Sequence, residues 1–198
     1  MSKTMSVVAS LFMVSGVFGG APAGAEDVDL DALRVAMEKY KDVNVALAEG
    51  YIRDPADHCV SAESEGLPAA WGSMGIHYIH PQRLGITGTE PRVNGVGTHT
   101  DWMSPSILIY EPQADGTLAL VAIENLVWQK AWKATGQPHP RVNGRAWDAM
   151  ADDPATAADE AHGFEPHFDQ HIWLFRDNPS GALMPFNPDV SCAHHRGS

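Results

Sequence analysis

Glu165-Pro166-His167-Phe168-Asp169-Gln170-His171-Ile172-Trp173-Leu174-Phe175 sets two imidazoles and two carboxylates into an otherwise apolar stretch, and the reading of the fold turns on it. As a strand, it would turn Glu165, His167, Asp169, His171 and Trp173 to one side and Phe168, Ile172 and Leu174 to the other. As a helix, it would stack His167 on His171 one turn apart. The clustered aromatics and the Asp177-Asn178-Pro179-Ser180-Gly181 turn that follows favour the strand. A straight strand, however, sets residues four apart at about 13 Å, with steps of about 3.3 Å. Imidazole nitrogens bind zinc at about 2.0–2.1 Å, so these two histidines need help from elsewhere in the fold to hold an ion.

Working outward, short apolar runs alternate with Gly and Pro: Gly75 to His80, Ser106 to Tyr110, Thr117 to Trp128 and His171 to Phe175. Ala114-Asp115-Gly116 joins the second and third as a hairpin. Before them, Leu30, Leu33, Met37, Tyr40, Val43 and Leu47 recur at helical spacing between Asp27 and Leu47, with Gly50 just beyond. Asp153-Pro154 to Gly163 has the start of a short acidic helix. The expected architecture is α+β: an antiparallel β-sheet or small β-barrel preceded by an N-terminal amphipathic helix.

Buried imidazoles and carboxylates are costly unless they bind one another or something else. The candidate metal ligands are His77, Glu124, His167 and His171. His77 and His80 fall on opposite sides of a strand, and His80 stands at its exit before Pro81, so His77 is the one to enter a shared site. Glu124 interrupts the apolar run Leu120 to Trp128. Asp169 is a further ligand or a partner for an imidazole. Glu111 is expected to be solvated, His99 to line an opening, and His58, His139, His162, His194 and His195 to be loop residues. Trp71, Tyr78, Trp102 and Trp173 are available to line an apolar mouth or to fill the core. Imidazole with carboxylate suits zinc, iron, copper or manganese. The chain has no His-Glu-x-x-His, no Gly-x-Ser-x-Gly, no phosphate-binding loop and no haem attachment motif.

The formal charge is -12. Residues 1–25 have the form of a signal peptide: Lys3, the apolar run Val7 to Gly20, then Ala23-Gly24-Ala25. Its removal leaves 12 bases against 25 acids, a charge of -13, which argues against nucleic acid or an anionic membrane as partner and favours cations. Residues 26–198 then form one domain, periplasmic or secreted. The two cysteines, Cys59 and Cys192, are expected to pair as a disulfide.

The phrases Gly75-Ile76-His77-Tyr78-Ile79-His80-Pro81, Leu108-Ile109-Tyr110-Glu111-Pro112, Glu165 to Trp173 and Arg176 to Gly181 resemble an uncharacterised family of exported bacterial proteins with no assigned activity. The resemblance runs from about Gly50 to Cys192 and implies export and a compact domain. A fainter similarity to secreted proteins that pair Gly-x-His with a later acid after a hairpin implies Glu124 in that position, followed here by Asn125. Two functions follow as expectations. One is a mononuclear metal protein, with metal-dependent oxidation or hydrolysis of a small organic molecule as its reaction class. The other is a non-catalytic periplasmic ligand-binding or interaction module whose histidines are structural.

Overall fold

The computed structural model describes residues 25–196. The expected signal peptide falls at positions 1–25 and, apart from Ala25, lies outside the described residues. Its centre is an antiparallel seven-stranded sheet whose chain-order strands are β1 (Ile52–Arg53), β2 (Cys59–Ser61), β3 (Ser73–Ile79), β4 (Ile107–Pro112), β5 (Leu118–Trp128), β6 (Asp148–Met150) and β7 (His167–Trp173). The spatial order is β6-β7-β5-β4-β3-β1, with β2 also on the outer edge of β3. The sheet is open, which decides between the two expected β architectures.

β5 runs 11 residues through the middle of the sheet. Such a strand is buried on both faces and therefore almost wholly apolar, with Glu124 and Asn125 as its two polar residues. The β4–β5 hairpin closes at Asp115, whose carboxylate accepts from the Thr117 N–H at 2.9 Å, and at Gly116, whose φ of 87° suits a residue without Cβ.

Alternation along the strands sorts the side chains. Ile76, Tyr78, Leu108, Tyr110, Ile123, Val127, Phe168 and Ile172 belong to a core shared with Leu33, Met37 and Tyr40 of the N-terminal helical region. That region starts at α1 (Leu30–Met37), capped by the Asp29 carboxylate accepting from the Asp31 and Ala32 N–H groups. It is not the single helix expected from its spacing. After a 3-10 turn, Asp42 takes an extended backbone (φ -88°, ψ 106°) and caps a second helix, α2 (Val43–Ala48), by accepting from Asn44 N–H. A good cap in mid-run restarted the helix rather than letting it continue.

The opposite face carries Ile79, Ile107, Ile109, Ala122, Leu126, Trp128 and Trp173, packed with Leu84, Val93 and Phe164. Among these lie His77, Glu124, His167, Asp169 and His171, all buried. Segment 151–166 helps cover this face. No helix forms there, although Asp153 does accept from Ala155 N–H at 2.9 Å. The Asp152 carboxylate takes the Ala161 N–H at 3.1 Å and Thr156 bonds Glu160, so side chains satisfy groups that a helix would have used. Cys59 and Cys192 form the expected disulfide, with Cα atoms 5.7 Å apart. Among the described residues no helix is long and apolar enough to cross a membrane.

Candidate metal centre

The register places the expected ligands on one face. Glu124 on β5 lies directly opposite His171 on β7 and, on its other side, opposite Ile107 on β4. His77 on β3 pairs with Ile109, so it approaches Glu124 across β4. Both carboxylate contacts fall on one oxygen: Glu124 Oε2 is 3.2 Å from His77 Nε2 and 3.4 Å from His171 Nε2. The three donor atoms all lie within 4.8 Å of one another, and all three residues are buried.

These contacts are close without being directed. Neither Glu124 Oε2 nor His171 Nε2 makes a hydrogen bond of acceptable geometry with any described residue. Two donors bound to one ion at about 2.0–2.1 Å and at a tetrahedral angle stand about 3.3–3.4 Å apart. The measured 3.2 and 3.4 Å match that spacing.

Burial sets the protonation of the cluster. It raises the Glu124 carboxyl from its ordinary value to about 8, and nearby Asp54 adds to the rise. It lowers His77 and lowers His171 well below the ordinary imidazole range. Both rings are therefore neutral at pH 7, the form in which imidazole binds a metal. Asp169, raised by burial and then by Glu124, has Oδ2 4.0 Å from His171 Nδ1. It stands behind that ring without a hydrogen bond to it, outside the three grouped donors.

His167, the fourth expected ligand, is not brought into the group. It faces the same side but sits opposite Trp128, four residues along a regular strand from His171. The strand pitch that makes the pair share a face also keeps them apart. Its Nδ1 donates to the Glu165 carbonyl at 2.9 Å, which leaves Nε2 with the lone pair. Burial lowers His167 to about 3. It lines a cavity of 10 Å³ with Asp54, His77, Glu124, His162 and Phe164, room for about one water molecule.

Two contributors were not singled out by the sequence. His162, expected as an ordinary loop residue, is buried, with its ring stacked on that of His77 at 6.4 Å between centroids. Its Nδ1 is 3.0 Å from Oε2 of Glu65, also buried. Glu111 is a correction of another kind: expected to be solvated, it is buried, paired with Arg176, and accepts from Ser191 N–H at 3.0 Å. Trp102, Tyr78 and Trp173 fill the interior instead of forming a mouth, and Trp71 is half exposed. His99 bonds the Ser104 carbonyl within its own loop at 2.7 Å, and His80 caps a short helix by accepting from Arg83 N–H.

Compared with protein-family models, with curated proteins and with solved structures, the chain has no match.

Proposed function

We propose that this is an exported protein that holds one transition-metal ion on His77, Glu124 and His171. The observation that carries the reading is Glu124 Oε2, buried and set 3.2 and 3.4 Å from two neutral imidazole nitrogens without a hydrogen bond to either. Two imidazoles and a carboxylate are the donor set of open zinc sites and of non-haem iron sites. When bound, such an ion supplies Lewis-acid polarisation and activation of water. The adjoining cavity supports an open position beside His77 and Glu124, with the His167 lone pair able to accept from a water molecule there. Hydrolysis or oxidation of a small molecule is the reaction class. The disulfide supports an oxidising compartment, periplasmic or extracellular.

The test is elemental analysis of the purified chain after separate loading with zinc, ferrous iron, manganese and copper, alongside Glu124→Gln and His171→Ala. One ion per chain in the wild type, lost in both variants, is the expected result. A wild-type chain that stays metal-free under all four loadings removes the proposal. The size of the cavity favours a second reading, in which the ion is held or carried without turnover, because 10 Å³ admits no organic substrate. Readily exchangeable metal with no hydrolytic or oxidative activity would select it.

A further inference from the structure

His162 belongs to two spaces at once. On its inner side it lines the 10 Å³ cavity beside His77 and Glu124. On its outer side it lines a 290 Å³ cleft that also includes His58, Glu65, Asp159 and His195. Among the described residues it alone lines both. Between the cleft and the three grouped donors there is therefore a wall, and the pair His162–Glu65 forms part of it.

Both members of this pair are more than nine-tenths buried, with 8% exposure each. Neither nitrogen of His162 nor Oε2 of Glu65 makes a hydrogen bond of acceptable geometry with a described residue. Their separation of 3.0 Å keeps an imidazole nitrogen and a carboxylate oxygen side by side as a pair of donors. In the outer cleft some charge is already matched: Asp159 is bonded by Arg92 at 2.8 Å, and His195 meets Arg53 at 3.0 Å. Exposed His58 at the rim and the buried Glu65–His162 pair remain as donors facing the path. The strongly acidic chain draws cations towards it.

We infer that Glu65 and His162 form a second, transient cation site through which a divalent metal passes from the surface cleft to the buried centre. The inference rests on the metal reading above, since it concerns the route to that centre. Oxygen and nitrogen donors of this kind take a partly hydrated divalent cation, exchange its waters one or two at a time, and release it inward to a stronger three-donor site.

The experiment uses the full chain, stripped with chelator and mixed rapidly with Co²⁺, whose visible absorption reports binding to nitrogen and oxygen donors. Glu65→Gln and His162→Gln should each slow uptake about tenfold, the lower range of what electrostatic focusing supplies, and slow chelator-driven release in parallel. The end-point spectrum and one Co²⁺ per chain should be unchanged, because a way-station alters rates and not the final site. His58→Ala, on an exposed side chain, should slow uptake to a smaller degree without touching the fold. Wild-type rates in the Gln variants, with wild-type near-ultraviolet circular dichroism, would overturn the route. So would a changed end-point spectrum, which would make these residues ligands. A wild-type chain that takes up no Co²⁺ brings down the centre and the route together, so the two failures are distinguishable.

Discussion

Glu124→Gln in the metal-free protein isolates the electrostatic cost of the site. The carboxyl has an ordinary value of 4.5 and is raised by burial to about 8 in the folded chain. Between these values the folded state binds a proton that the unfolded state has lost, so stability falls as pH rises. The imidazoles act in the opposite direction and lower down: His77, His167 and His171 are held neutral, and they reduce stability only as pH drops below their ordinary 6.5. From pH 6.5 to 8 the imidazole contribution fades, and it is common to wild type and variant, so it cancels in their difference. One carboxyl at about 1.36 kcal/mol per pH unit then lowers unfolding free energy by about 2 kcal/mol over that window. For a chain of this size the melting temperature drops by about 4–8 °C. Asp169, raised by burial and then by Glu124, titrates together with it, so the difference between wild type and variant reports Glu124 with its coupling to Asp169. The assay is urea unfolding in excess chelator at pH 6.5, 7.25 and 8. The wild type should lose about 2 kcal/mol more than Glu124→Gln across the series. Parallel curves would show that Glu124 titrates normally and that the buried, proton-holding carboxyl is wrong.

Three further outcomes are expected. His77→Ala and His171→Ala should each abolish metal retention, whereas His167→Ala should keep one ion per chain, because its ring lies outside the three grouped donors; elemental analysis after dialysis distinguishes them. Opening the disulfide, or Cys59→Ser with Cys192→Ser, releases a loop of 133 residues and should lower stability by up to about 5 kcal/mol in denaturant titration. Ile172→Ala, on the opposite face of β7, should cost about 2–5 kcal/mol yet leave metal stoichiometry intact, since its neighbours are the apolar core shared with α1.

The strand reading of Glu165 to Phe175 was legible because alternation is local: Phe168 and Ile172 on one side, His167, Asp169 and His171 on the other, follow from backbone geometry alone. Glu124 was legible for a different reason, as a carboxylate interrupting an apolar run is expensive and draws notice. His77 required the choice between two histidines on opposite faces, which Pro81 settled. His162 and Glu65 were invisible because neither sits in a periodic element. Segment 151–166 brings His162 inward, where the backbone takes φ 49°, and Val93 pins the following turn by a 2.8 Å bond to the Gly163 carbonyl. Such placement depends on a loop's tertiary anchors. The mid-run restart at Asp42 was missed because an acidic residue on a helical face and a new cap look the same until the backbone turns.

The cluster also bears on its own explanation through its energy. Glu65 Oε2, Glu124 Oε2, Asp169 Oδ1 and both nitrogens of His162 and His171 are buried without hydrogen-bond partners among the described residues. Each such atom costs about 1–3 kcal/mol. Together they approach the whole stability of an ordinary domain, about 5–15 kcal/mol. Water cannot relieve them all, since the adjoining cavity has room for about one molecule. Protonation relieves Glu124 and Asp169 in part, but the single O–H of Glu124 can serve at most one of the two Nε2 atoms facing it. An ion held by His77, Glu124 and His171 would engage two of these atoms directly, Glu124 Oε2 and His171 Nε2. A purely structural role for these histidines leaves those two atoms unsatisfied, and it is on this ground that the metal centre is the stronger of the two functional readings.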